Sequence, residues 1–329
     1  MSATVIPDAA QAPAVRGSAR DRRVAPPVDD RRCWTTIAGL GVLHVGGLLG
    51  VGWLVLHPSV ATIALAASLY VLGGVSITAG YHRLFAHRTY RASAPVRWAL
   101  LVFGAATFQN SALSWSADHR AHHADTDGAD DPHAITRGAW FAHVAWLFRR
   151  RTASADVTRI ADLWAVRSIR LQHRCYAPIA VTVGLVLPTA IAWTWGDPWG
   201  GLLVAGFLRV ALMLQATFCV NSLAHLIGTP RYNRSSSARD SALTALVTFG
   251  EGYHSFHHRF PFDYRGTVRW WRYDPSKWVI WTLAQARLVS HVRTASATSV
   301  ACAEGTRRAA GGRHGRVDGA GGPADRQVP

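Results

Sequence analysis

The histidines of this chain are spaced as metal-binding side chains are spaced. Three clusters stand out, His82-Arg-Leu-Phe-Ala-His87, His119-Arg-Ala-His122-His123 and His254-Ser-Phe-His257-His258. A fourth piece, Asn221-Ser-Leu-Ala-His225, follows a long apolar run. Neutral imidazole is a borderline ligand suited to iron, copper, zinc or nickel. Nine such rings exceed the roughly four to six donors that one first-row ion takes. The economical reading is a two-metal site with an all-histidine shell. In the second and third clusters the rings fall at i, i+3 and i+4, positions that share one helix face. His82 and His87 are five apart, roughly 140° around an α-helix, and are expected to serve different metals or to straddle a helix end. The scattered His44, His57, His143, His173 and His291 read as ordinary packing residues.

Four apolar segments, at about 34–56, 60–79, 177–195 and 201–220, must position these clusters. Each is long enough to cross a hydrocarbon core of about 30 Å, which takes around 20 helical residues. The links 57–59 and 196–200 carry no Lys or Arg, whereas Arg16, Arg20, Arg22, Arg23, Arg31 and Arg32 precede the first segment. Arg83, Arg88 and Arg91 follow the second, and Arg149, Arg150 and Arg151 lie in the central stretch. Positive charge collects on the cytoplasmic side, so both termini and the central stretch are expected there. Every histidine cluster then falls on that same side. Residues 97–115 are also apolar, but as a fifth span they would carry His119 across the membrane from His82. They are expected to form a helix near the interface, and 240–250 presents a similar choice. Arg209 interrupts the fourth segment, where a charge needs a partner.

Composition agrees with a membrane protein: 49% of the 329 residues are hydrophobic, only 16% are charged, and 14 are Trp. The formal net charge of +16 comes almost wholly from Arg, with Lys277 the single lysine. No recognition motif accompanies that charge, so nucleic acid is set aside as a partner. Cys33, Cys175, Cys219 and Cys302 form no C-x-x-C pair, which argues against a disulfide framework or thiolate site. Residues 1–32 are expected to be a disordered basic leader and 291–329 a disordered tail. Arg31-Arg32 superficially resembles a twin-arginine signal, but the following run is too long for one.

The order H-x4-H, H-x2-H-H, N-x3-H, H-x2-H-H among four spans resembles the membrane fatty acyl desaturases of the stearoyl-CoA desaturase type. The likeness extends to Thr78–Arg88, to Asp118–His123 with Asp131-Pro-His133, and to Gly250–His258. Phe260–Arg265 and Arg269–Trp278 resemble that family's bacterial branch, and the whole resemblance covers about 34–290.

The resemblance implies an all-α integral membrane fold, with two hairpins of transmembrane helices carrying a cytoplasmic helical cap, in a domain spanning 33–290. It implies that His82, His87, His119, His122, His123, His225, His254, His257 and His258 hold two irons, with Asn221 reaching one through water. Asp118 and Glu251 become the carboxylates that orient imidazoles through their second nitrogen. Gln109, Asn110 and Trp115 match residues near the acyl tunnel, Arg150 and Arg151 a basic pair near the coenzyme A phosphates, and Ala66 and Tyr70 the tunnel's closed end. The implied reaction uses O₂ to place a cis double bond, at the delta-9 position, in palmitoyl- or stearoyl-CoA.

Ala117 stands where the animal enzymes carry an arginine that helps hold coenzyme A, so a lipid- or carrier-bound acyl chain stays open as substrate. No haem motif or iron–sulfur cysteine set is present, which implies an external electron donor: cytochrome b5, a ferredoxin or a flavin-linked reductase. A bacterial inner membrane is the expected location. A histidine-rich hydroxylase or alkane monooxygenase shares the ligand logic. Metal transporters place their ligands near the membrane midplane, away from where these clusters fall.

Overall fold

A computed structural model describes residues 31–149 and 160–311. The expected leader up to residue 30, and Arg150 and Arg151, lie outside the described residues. In chain order the elements used below are α1 (Trp34–Leu56), α2 (Val60–Ala86), β1 (Arg91–Ala92), α3 (Ala94–Ala105), α4 (Ala112–Ala124), α5 (Tyr176–Trp193), α6 (Pro198–Leu226), α7 (Ala242–Val247), α8 (His254–Arg259), α9 (Pro275–Gln285), β2 (Val289–Ser290) and α10 (Ala297–Gly311). Helices α1, α2, α5 and α6 are long and apolar enough to cross a membrane.

Two of these spans outrun their apolar segments. Helix α2 continues to Ala86 and α6 to Leu226, so His82, Asn221 and His225 ride on unbroken helices rather than on loops beyond them. Helix α3, at 12 residues, is about 18 Å long and falls short of a hydrocarbon core. Helix α7 has six residues. Neither is a span.

The bundle closes through small residues. Gly46, Gly47 and Gly50 of α1 face Phe207, Ala211 and Leu203 of α6, and a Cβ at any of the three would collide with them. Such contacts let helix backbones approach where lipid supplies no hydrophobic drive. Val42, Val45, Leu48, Leu49 and Val55 point away from the bundle and are exposed, as an apolar solvent permits. Arg209 is buried and donates to the backbone oxygens of Ala106 at 2.8 Å, Gly184 at 2.8 Å and Ala205 at 3.1 Å. Its partners are therefore carbonyls.

The lower half of α2 packs on α3 and α4 around Tyr81, Phe85, Leu101, Leu113, Ile169 and Ile280. Truncating a buried aromatic such as Phe85 to Ala costs about 3–5 kcal/mol. Side chains start the helices of this layer: the Ser111 hydroxyl accepts from Ser114 N at 3.2 Å, and Asp274 from Lys277 N at 3.0 Å.

Over residues 291–311 the chain departs from the expected disordered tail, and the rest of that tail lies outside the described residues. Helix α10 packs Val300 and Ala303 against a cluster with Phe256 and Phe260, and Glu304 accepts from Arg231 and Tyr232. Long-range contacts hold a segment whose Gly, Ala and Arg composition alone does not specify a core.

Candidate metal centre

His82 and His87 are brought together by a change of helix type. Residues Ser76–Ala86 wind as a π-helix, and His87, capping its end, donates its N–H to the His82 carbonyl at 3.0 Å. That i→i+5 bond stacks two residues that an α-helix would splay by 140°. Their ring centroids lie 4.9 Å apart. Of the two alternatives expected for this pair, service to different metals is corrected, since both belong to one group, and the other holds, since His82 lies in the helix and His87 caps its end.

That group is His82, His87, His119, His123 and His257; the second is His122, His225, His254 and His258. Within each group the ligating nitrogens lie within 4.8 Å of one another. The H-x-x-H-H helices do not turn one face to one metal. Helix α4 sends its i, i+4 pair, His119 and His123, to the first group and His122 to the second. Helix α8 does the reverse, sending His254 and His258 to the second group and His257 to the first. An i+3 ring stands about 60° around the helix on the far side from the i+4 ring, enough to face a different centre.

The spacing fits metal ligation. Bonds of about 2.0–2.1 Å to imidazole nitrogen, set at right angles, put the two nitrogens about 3 Å apart. The Nε2 atoms of His82 and His257 are separated by 3.0 Å, His87 and His119 by 2.7 Å, and His123 and His257 by 2.9 Å. In the second group His254 and His258 are 3.0 Å apart and His122 and His258 3.2 Å. The buried Nε2 of His225 has no protein hydrogen-bond partner among the described residues. Burial, and then the neighbouring rings, hold His87, His119, His122, His254, His257 and His258 well below the usual imidazole range. His123 is pushed down to about 3 by the same causes. Neutral rings are the form that binds metal.

Behind the rings stand groups that fix their orientation. Glu251 lies 3.0 Å from His82 Nδ1 and also accepts from Arg83 at 3.0 Å. Burial would raise this carboxyl, but His82 and Arg83 outweigh it and keep it below the usual range. Gly250, at φ +94°, turns the chain into Glu251 so closely beside Asp274 that a Cβ would crowd it. Asp274 in turn pairs with Arg83 at 2.9 Å.

Sequence reasoning missed three of these supports. Asp131 lies 2.9 Å from His122 Nδ1; Thr126 lies 3.4 Å from His258 Nδ1. His225 Nδ1 meets Ser237 Oγ at 2.6 Å, and Ser237 donates to Asp127 at 2.5 Å. The Asp131-Pro-His133 motif was the available signal for Asp131. His122, Asp131 and His133 also cluster, but His122 turns Nδ1 to Asp131 and Nε2 to His258, so Asp131 supports a ligand of the second group.

Two cavities meet at the histidines. A cleft of about 600 Å³ runs from Cys33, Thr36 and Arg149 past Gln109, Asn110 and Asp118 to Trp115, His119 and Asn221. A small cavity of about 50 Å³ shares Trp115, His119, Thr217 and Asn221 and continues to Gly74 and Phe249. Trp115 stacks on His119 with centroids 4.9 Å apart. Asp118 is thus placed on the cleft wall, with Gln109, Asn110 and Trp115. Asn221 lines both cavities, as does His119. Ala66 and Tyr70 line neither. The Tyr70 ring packs 5.4 Å from that of Phe249, which also covers Gly74 and closes the small cavity. Nothing in the sequence marked Phe249, an apolar residue with no motif around its side chain.

Known proteins are similar to this chain. Acyl-CoA desaturase 1 of Saccharomyces cerevisiae is 41% identical over 273 residues, 79% of this chain and 52% of the yeast protein. The probable acyl-CoA desaturase of Schizosaccharomyces pombe is 43% identical over 238 residues, 71% of this chain and 49% of its own length. The chain spans about half the length of these two relatives. Stearoyl-CoA desaturase of Sus scrofa is 39% identical over 246 residues, 72% of this chain and 68% of the pig protein. The sequence profile of the fatty acid desaturase family matches residues 52–294. That stretch takes in both histidine groups and the four helices that bear them, and the chain belongs to the fatty acid desaturase family.

Proposed function

We propose that this integral membrane protein is an O₂-dependent acyl-CoA desaturase that introduces a cis double bond, at the delta-9 position, into palmitoyl- or stearoyl-CoA. The carrying observation is the pair of imidazole groups, met by the cleft at His119 and by the small cavity at His82, His119 and His254. The relatives bear the names acyl-CoA and stearoyl-CoA desaturase, which supports the substrate class. Overall, a saturated pair of methylenes, O₂, two electrons and two protons would give one alkene and two waters.

Two irons, held by the five-ring and four-ring groups with Asn221 beside them, would supply the oxidant that an unactivated methylene requires and that side chains cannot. The protein's part is positioning. Phe108, Leu214 and Phe218 offer an apolar wall to the acyl chain, and Trp115 places it against His119. Gln109 has both amide atoms buried with no hydrogen-bond partner among the described residues, suited to a polar group near the thioester. Asn110 and the Arg149–Arg151 run would hold the coenzyme end. Because successive methylenes are chemically alike, regioselectivity follows from depth in the tunnel alone. The electrons would come from an external cytochrome b5, ferredoxin or flavin reductase. Both termini would face the cytoplasm of a bacterial inner membrane.

The deciding experiment expresses the chain in a host lacking unsaturated fatty acids and locates any new double bond in its lipids. A delta-9 alkene supports the reading. An alcohol retaining oxygen from labelled O₂ would instead make the protein a hydroxylase.

A further inference from the structure

Arg120 sits among the candidate ligands of α4, directly after His119 and two residues before His122. It belongs to neither histidine group, yet its guanidinium is fully directed. Nε donates to Ala86 O at 2.9 Å and Nη2 to Phe85 O at 2.9 Å. Nη1 and Nη2 also donate to the two oxygens of Asp162, at 2.7 and 3.0 Å.

The two carbonyls are those that end the π-helix Ser76–Ala86. The last carbonyls of a helix find no partner within it, and here one side chain takes both. The Ala86 oxygen shares a rigid peptide plane with the His87 N–H. Arg120 holds that oxygen, and the His82 carbonyl holds the N–H at 3.0 Å. Both ends of the plane are fixed, and with them the direction in which the His87 side chain leaves the backbone. From α4, His119 brings its Nε2 to 2.7 Å from His87 Nε2. Arg120 thus ties the backbone of one ligand to the helix that carries the other.

Asp162, on the short helix Ala161–Trp164, completes the arrangement. Besides the Arg120 fork it lies 3.5 Å from Arg88 Nη1. One carboxylate therefore meets the residues that directly follow His87 and His119. These side chains are partly exposed, and an exposed ion pair by itself adds little. A bidentate fork adds direction, and direction is what holds ligands in place before a metal arrives. Lysine, with its donors on one nitrogen, cannot span the same acceptors.

We propose that Arg120, braced by Asp162, is a positioning residue that sets the His87–His119 edge of the five-ring group and so its hold on metal. This role rests on the two-iron reading, and the experiment tells failure of one from failure of the other.

Arg120→Lys keeps the charge and loses the fork. The full chain, purified and loaded with iron, is challenged with graded chelator. In Arg120→Lys the iron of the five-ring group should be stripped at about tenfold less chelator, with that of the four-ring group held as in wild type. His225→Ala removes a ring of the four-ring group, and adding Arg120→Lys to it should strip the iron that remains. Asp162→Asn, similar in shape and uncharged, should show the same selective loss in smaller measure. In metal-free protein, amide hydrogen exchange over residues 82–89 should be faster in Arg120→Lys than in wild type.

Loss of both irons in step, or of neither, overturns the positioning role, since a merely structural residue would not choose between the groups. Unchanged exchange in the metal-free variant overturns it as well. Faster exchange in a chain whose wild type takes up no second iron supports the clamp and counts against the two-iron reading instead. Should Arg120→Lys fail to fold, Asp162→Asn decides by the same measurements.

Discussion

His82 reaches Glu251 through Nδ1 at 3.0 Å, while its Nε2 faces His257 at the same distance. One ring nitrogen is thus spent on orientation, leaving the other for metal. Glu251→Gln keeps the shape but removes the charge that Arg83 and His82 share. Outer partners of this kind are worth about 10–100-fold in metal affinity. Iron retention under chelator challenge should fall by that factor while His82→Ala loses more; equal retention in Glu251→Gln and wild type would leave the carboxylate with no tuning role.

His122 and His257 belong to different groups. Replacing either by Ala should lower iron content and abolish desaturation together, with membrane insertion unchanged. Metal analysis of the two purified variants checks this. Full activity of an iron-free, zinc-loaded preparation would contradict the diiron assignment.

Phe249 separates the small cavity from Tyr70. Phe249→Ala should deepen the tunnel and move preference toward longer chains by about tenfold or more, since each methylene in an apolar pocket is worth about 1–3 kcal/mol. Tyr70→Ala should add to that shift once Phe249 is removed. Neither should move the double bond relative to the carboxyl end. Product profiles from mixed acyl-CoA substrates give the answer, and an unchanged profile in a stable double variant would exclude both residues as the stop.

Arg209 satisfies carbonyls of three segments. Arg209→Met leaves buried acceptors unpaired, each worth about 1–3 kcal/mol. Unfolding in a graded SDS titration should occur earlier, by at least about 1–3 kcal/mol. A variant as stable as wild type would mean that the carbonyls find other donors.

For orientation, tags at Ser2 and Pro329 should be protected in sealed inside-in cells, and a probe in the link at Asp197 should react from outside. The reverse labelling would invert the proposed topology.

Hydropathy and histidine spacing made the spans and the histidines that the fold gathers legible because both are local properties of the chain. The His82–His87 pairing was not, since a five-residue spacing carries no mark of the π turn. That turn is seated by packing of distant residues, with Gly80 against Leu100 and Tyr81 inside the α3–α4 core. Asp131 was within a quoted motif, but its role depends on which way His122 points. Helix α10 depends on partners near residues 231 and 256, and Phe249 on a ring-to-ring contact. Periodicity registers neither.

At the end of the bundle away from the histidines, Asp197 takes hydrogen bonds from Trp53 at 3.1 Å, Thr62 at 2.5 Å and Gly200 N at 2.8 Å. Trp195 donates to that same Thr62 hydroxyl at 3.1 Å. One carboxylate therefore rivets the turns of both hairpins, and the four long helices behave like tongs joined at the handle. A substitution at Asp197 would thus release both turns at once, leaving the two hairpins joined by the packing along their lengths.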